Sequence, residues 1–175
     1  MKHFVLEDSS FVIAVMDPGD VFHRDAVFIF KKILECKDRV IVLIPSVVFF
    51  ESIVTLIRKG ISHSEIEDKF WKLLHLSNVI NVPIIETMAF KLCKRLSGNS
   101  DFLQMKTSDF VIANVGMEFD AQILTFDKGM RKRVFPTHNE IYYCSSLDTD
   151  GESFGDETSR FISDMEIALG EDIPF

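Results

Sequence analysis

Between Val40 and Ile57 the chain reads VIVLIPSVVFFESIVTLI, eighteen residues with a single charge, Glu51. No other stretch restricts the fold so severely. Its length is marginal for a membrane span, and Pro45 and Glu51 interrupt it, so it is read as protein interior. Val40–Leu43 is β-branched and continuous, as a parallel strand buried on both faces should be. Pro45 suits the first turn of a helix that runs to about Lys59 and is closed by Gly60. That arrangement leaves a carboxylate in the middle of a very apolar helix. An unpaired carboxylate removed from water is costly, so such groups neutralise, pair or bind metal. The helical neighbours of Glu51 are Val47, Val48, Val54 and Thr55. Either Glu51 faces out of this helix, or a cation meets it.

The same strand-then-helix rhythm recurs along the chain. Phe4–Leu6 reads as a short strand, after which Ser9 and Ser10 can cap a helix over Phe11–Met16. Asp17-Pro18-Gly19-Asp20 is a turn. Ala26, Val27, Phe30, Ile33 and Leu34 fall at helical spacing within His23–Cys36. A further helix is expected from near Ser64 to Leu76, a strand over Val79–Val82, and a helix over Glu86–Leu96. Ser108 can cap a helix from Asp109 to about Met117, and strands follow at Gln122–Thr125 and Ile141–Tyr143. Strands alternating with helices predict an α/β three-layer sandwich around a mostly parallel sheet.

Charge divides the chain in two. Residues 148–175 hold nine acids against one base, Arg160, and so carry −8, the whole net charge, while residues 1–147 balance eighteen acids with eighteen bases. The boundary suggests a domain over 1–147 and an acidic C-terminal extension over 148–175. Within the extension, Phe161, Ile162, Met165, Ala168 and Leu169 predict a short amphipathic helix. Either it covers core or dimer surface, or it folds back so that its acids compete with ligands of the basic run Lys128, Arg131, Lys132 and Arg133. No global basic field marks a nucleic-acid binder. The three cysteines are widely spaced, without a CxxC, which disfavours a disulfide framework or zinc site and fits a reducing cytoplasm. The N-terminus, MKHFVLEDSS, reaches acids before a signal-like run develops.

Several acids fall where strands hand over to helices. Asp8 follows the first strand, Asp127 follows Gln122–Thr125, and Asp109 opens a helix. Sites in open α/β sheets form outside the carboxyl ends of the strands, which places Asp8 and Asp127 at one edge. Asp8 and Asp109 can also serve simply as favourable charges at helix N-termini, and Asp127 as a turn residue. Clustered carboxylates suit Mg²⁺ or Mn²⁺, ions that bridge phosphate oxygens and activate water. There is no GxGxxG and no P-loop, and His3, His23, His63, His75 and His138 show no metal-ligand spacing.

VLEDSSFVIAVM resembles the opening of the PIN-domain family, a strand followed by Asp, hydroxyl residues and a short apolar helix. IPSVVFFESIVTL resembles its second motif, and TSDFVIANVGMEFDAQILTFDKGM its third and fourth, a helix-opening Asp and then Thr-x-Asp after a strand. The likeness runs in order across residues 3–145. It implies a Mg²⁺- or Mn²⁺-dependent endoribonuclease of the VapC-like toxin type, cytoplasmic and homodimeric, with an RNA substrate and a cognate antitoxin. Carried over, the acidic quartet is Asp8, Glu51, Asp109 and Asp127, with Ser9, Ser10 and Thr125 orienting ligands. The chain departs from the family pattern at Glu7, at Asn114 and at Gly116, whose cost in a helix suggests a close contact or an early helix end. It also extends about 28 residues past the usual end. Two other readings remain: a PIN-like module that binds RNA or protein without cutting, and a related DNase or flap-type nuclease. The basic run Lys128–Arg133 adjoins the acids and either forms a solvated helix face or holds RNA phosphates.

Overall fold

Parallel strands need long crossovers, and the spacing of the apolar runs supplies them. The computed structural model describes residues 2–84, 90–91, 94, 105–136, 138, 140–145 and 157–169. Its strands are β1 (His3–Glu7), β2 (Val40–Pro45), β3 (Val79–Val82), β4 (Gln122–Thr125) and β5 (Ile141–Tyr143). They form one sheet in the order β3-β2-β1-β4-β5, every pairing parallel. Successive strand residues point to opposite faces. Val5 and Leu6 are both fully buried, as are Ile123 and Leu124, so both faces of the sheet centre are covered. The covering helices are α1 (Ser9–Met16), α2 (His23–Glu35), α3 (Ser46–Arg58), α4 (His63–Leu74), α5 (Thr107–Phe119), α6 (Lys128–Val134) and α7 (Glu157–Leu169). The α/β sandwich expected from the sequence is the architecture observed. No helix among the described residues is long and apolar enough to cross a membrane.

Local chemistry explains where the elements end, and it corrects two expected caps and the place of Pro45. Asp8, rather than Ser9 or Ser10, caps α1, its Oδ1 accepting the Phe11 N–H at 2.8 Å. Pro45 closes β2 with extended geometry (φ −60°, ψ 145°) instead of sitting inside the first turn of α3. Lys106, not Ser108, occupies the cap position of α5, without a side-chain cap bond. Gly60 ends the α3 segment at φ 85°, a left-handed geometry that glycine adopts without penalty. The helix expected over Glu86–Leu96 lies mostly outside the described residues, of which Phe90, Lys91 and Lys94 are helical.

The two unusual residues of α5 now have physical reasons. A Cβ at Gly116 would come within 2.8 Å of Ile123 Cδ1 and 3.3 Å of His138 Nε2, so the glycine permits close approach of α5 to β4. Of the two expectations, close contact or early helix end, the contact is the one observed. The buried amide of Asn114 donates back to the Phe110 carbonyl at 2.8 Å, which satisfies it within its own helix.

Helix α7 is sewn into the body of the protein. Phe161, Ile162 and Met165 are buried in the same apolar core as β1 and β4. Arg39 donates to the Leu169 carbonyl at 3.0 Å, and the Tyr142 hydroxyl donates to Asp164 at 2.7 Å. At the N-terminus of α7, Glu157 accepts from Arg131 Nε (3.1 Å) and Nη2 (2.7 Å) and from the Tyr143 N–H (2.6 Å). The acid therefore meets the basic run in a buried pair rather than across a solvated surface.

Strand order reverses at β1: β2 and β3 lie on one side, β4 and β5 on the other. Such a reversal opens a crevice outside the carboxyl ends of β1 and β4. Asp8 immediately follows the first of these strands, and Asp127 follows the second by two residues.

Candidate active site

The crevice is a cavity of about 440 Å³ lined by Ser9 of α1, by Phe50, Glu51, Val54, Thr55 and Arg58 of α3, by Lys106, Ser108 and Asp109 at the start of α5, and by Asp127 before α6. Three of the four expected acids thus come from segments far apart in sequence and share one wall. Glu51 reaches the cavity because its position on α3 turns toward α5. The apolar residues around it are not all interior: Phe50 and Val54 are themselves exposed at the cavity mouth. No hydrogen bond or ion pair among the described residues engages the Glu51 carboxylate.

Asp8 is not on the cavity wall. It is buried, 2% exposed, and both its oxygens are occupied. Oδ1 accepts from Ser10 Oγ at 2.7 Å as well as from the Phe11 N–H, and Oδ2 accepts from Thr125 Oγ1 at 2.7 Å. These hydroxyls in turn accept from the next corner of the chain: Ser10 Oγ from the Phe126 N–H at 2.8 Å, Thr125 Oγ1 from the Asp127 N–H at 2.9 Å. Two relays therefore tie Asp8 to the backbone that carries Asp127. Phe126 locks the same corner by stacking on Phe11 and on Phe22, with centroids 5.5 and 4.8 Å away. Burial pushes the Asp8 carboxyl up to about 6, against the pull of its three donors, and the Asp127 charge adds to the rise.

Asp109 and Asp127 face a common cation. Arg133 Nε and Nη2 donate to Asp109 Oδ2 at 2.8 and 2.5 Å, and Nη2 stands 3.8 Å from Asp127 Oδ2. Asp127 Oδ1 accepts the Met130 N–H at 3.0 Å and so caps α6. Burial raises the Asp109 carboxyl above its ordinary value, the guanidinium opposes that rise, and Asp127 and Lys106 add smaller, opposite effects. Behind Asp8, Glu7 is fully enclosed, its Oε1 without a partner, and burial pushes its carboxyl up to about 8.

The basic run does not form one face. Arg131 is buried against Glu157 and stacks on Phe135 at 3.9 Å, Arg133 is drawn into the acids, Lys128 lies 5.5 Å from the Tyr143 ring centre, and Lys132 is exposed. The cations at the mouth of the cavity are instead Arg58 and Lys106, which the reading of the sequence passed over. Spacing could have flagged both: Arg58 is two helical turns beyond Glu51 on one face, and Lys106 one turn before Asp109.

The donor chemistry of the wall, carboxylates and hydroxyls only, fits a hard divalent cation. As the side chains stand, no three His, Cys, Asp or Glu among the described residues close around one point, and Asp109 is paired with Arg133. Glu51, Asp109 and Asp127 are the residues that would hold such an ion.

Comparison with known proteins places the chain. The PIN domain family profile matches residues 5–136. No curated protein matches the sequence. Among solved structures, VapC20 of Mycobacterium tuberculosis, described as a sarcin-ricin loop cleaving toxin, is similar with a TM-score of 0.58 and 17% identity, over 73% of this chain and 93% of that one. VapBC2 from Rickettsia felis, bound to a DNA fragment from their promoter, is similar with a TM-score of 0.55 and 12% identity, over 74% of this chain and 92% of that one. The order of the four motifs, the parallel sheet with its reversal at β1, and the profile match over most of the sequence agree, and the chain belongs to the PIN domain family.

Proposed function

We propose that the protein is a Mg²⁺- or Mn²⁺-dependent endoribonuclease and the toxin of a toxin–antitoxin pair. One observation carries the reading: Glu51, Asp109 and Asp127, from three separate segments, line a single cavity at the carboxyl edge of the sheet. A divalent ion bound there supplies charge to the phosphate oxygens and activates water for in-line attack. The residues of the chain do the rest. Glu51, Asp109 and Asp127 hold the ion, and Asp8, through Thr125 and Ser10, holds the Asp127 corner in place. Arg58 and Lys106 at the mouth bind the phosphates that flank the scissile bond, which fixes the backbone without reading bases. Ser9 and Ser108 contribute hydroxyl oxygens beside the acids. The activity described for VapC20 supports RNA as substrate, and the VapBC2 complex supports a cognate antitoxin as partner. A homodimer and a cytoplasmic setting are carried over from the family resemblance and the cysteine usage of the sequence.

The test is cleavage of matched RNA and DNA oligonucleotides with Mg²⁺ or Mn²⁺, with and without chelator. RNA is cut, DNA is spared, chelator stops the reaction, and products carry 5′-phosphate and 3′-hydroxyl ends. Asp109→Asn and Asp127→Asn each lower the rate by about a hundredfold or more, as expected when charge that stabilises the transition state is removed. Full activity in both variants, or 2′,3′-cyclic phosphate ends, refutes the mechanism. A second reading is favoured by the Arg133–Asp109 pair, which closes the acids on themselves: a PIN module that binds RNA without cutting it. Metal-independent RNA binding with no cleavage of any substrate would establish that alternative.

A further inference from the structure

Two acids of the cavity wall already share a cation that does not itself line the cavity. Arg133, in the last turn of α6, gives two N–H groups to one oxygen of Asp109, at 2.8 and 2.5 Å, and its Nη2 lies 3.8 Å from Oδ2 of Asp127. The guanidinium therefore stands between two carboxylates of the cavity wall. Its seat depends on a specific residue. A Cβ at Gly129 would come within 2.7 Å of Arg133 Nη1 and 3.0 Å of Asp127 Oδ1. Gly129 is inside α6, where glycine is a poor helix former, so the position gives up helix propensity and makes room for the guanidinium.

A small divalent ion sits about 2.1 Å from each oxygen donor. An ion held by Asp109 would compete with Arg133 Nε and Nη2 for the oxygen they share, and two positive groups so close repel. We propose that Arg133 is the resident counter-cation of Asp109 and Asp127 and that a divalent ion binds these two acids only by displacing it. The inference rests on the reading of the cavity as a metal site. The positive guanidinium neutralises the two acids whenever metal is scarce. It also lowers the affinity for metal by the strength of a forked, charge-assisted bond. The ion concentration at which the site loads is thus set by a side chain that is not a ligand.

Mn²⁺ binding to the full-length protein, followed by electron paramagnetic resonance of the free ion, tests this without reference to activity. Arg133→Gln removes the competing charge. Gly129→Ala keeps the arginine but pushes the end of its flexible side chain from the seat; it also crowds the capping oxygen of Asp127, Oδ1, and leaves Oδ2 untouched. Both variants are expected to bind Mn²⁺ about tenfold or more tightly than the wild type, the equivalent of one charge-assisted hydrogen bond. Arg133→Lys, a point charge without the fork, falls between. Adding Asp109→Asn to Arg133→Gln abolishes the gain. Equal or weaker Mn²⁺ binding in both Arg133→Gln and Gly129→Ala, with measurable binding by the wild type, overturns the proposal and leaves the metal site intact. No Mn²⁺ binding by any of these proteins overturns the proposal together with the reading beneath it.

Discussion

Arg131 and Arg133 are two residues apart on one short helix, and they do different work. Arg131 is 8% exposed and pairs with Glu157, 6% exposed, at the start of the C-terminal helix. Arg133 is 28% exposed and pairs with Asp109 at the wall of the cavity. A separation of two along a helix turns side chains about 200° apart, so the two guanidinia leave opposite sides of α6. One is sealed between α6, α7 and β5, the other is open to solvent and to whatever enters the crevice. Nε and Nη2 of Arg131 meet the two oxygens of Glu157, whereas those of Arg133 share one oxygen of Asp109. Access to water differs as well, and it separates a pair that fixes the fold from one that can open.

Breaking the sealed pair has the largest effect. Glu157→Gln leaves a guanidinium buried without its counter-charge, and about 3–5 kcal/mol of stability is lost. Urea denaturation measures it. Adding Arg131→Met to Glu157→Gln restores most of the loss, since the remaining amide still accepts the Tyr143 N–H.

Glu7 sharpens the comparison, because it is buried with no partner at one oxygen. Its folded-state value of about 8 lies above the ordinary 4.5, so the folded protein holds a proton that the unfolded chain releases. The contribution of Glu7 is therefore most favourable below 4.5, and stability declines as pH rises toward 8. Asp8 adds a similar decline between 3.8 and about 6. In chelator, Glu7→Gln raises stability at pH 7 by roughly 2–3 kcal/mol, flattens the profile between pH 6 and 8 and lessens the slope between 4.5 and 6, where only the Asp8 part persists. Thermal melts from pH 4 to 8 check both parts, and a wild-type profile that rises across this interval contradicts the assignment.

Opening the solvent-facing pair costs less. Arg133→Gln lowers stability in chelator by about 1 kcal/mol, in the range of exposed pairs and single charge-assisted bonds. A loss as large as that of Glu157→Gln would make Arg133 a structural arginine. Smallest of all is Lys132→Ala on the exposed side of the same helix, within about 0.5 kcal/mol of the wild type.

Much of the fold was legible because its signals are local. The runs Val40–Leu43, Val79–Val82, Gln122–Thr125 and Ile141–Tyr143 are rich in β-branched, aliphatic or aromatic residues, and each lies in a strand at or within a residue or two of the expected place. The caps were less legible. Ser9, Ser10 and Asp8 can all cap α1 by residue type, and the choice fell to Asp8 because its side chain also meets Thr125, a residue 117 positions away.

The sequence by itself determined where most strands and helices form, that the sheet is mostly parallel, that Asp8, Asp109 and Asp127 stand at or near element ends, and that Glu51 stands in the middle of an apolar helix. Periodicities of 2.0 and 3.6 residues and the need to bury apolar surface suffice for that. Only the tertiary structure decided that Glu51, Asp109 and Asp127 share a wall while Asp8 lies buried behind it, that Arg58 and Lys106 hold the mouth, and that a run of four basic residues is divided among four surroundings. Partners in ion pairs are chosen by which helix faces come together, and a charge carries no record of its partner in the residues beside it. The arginine that binds Glu157 and the arginine that binds Asp109 look the same in the sequence and differ only in which way α6 turns them.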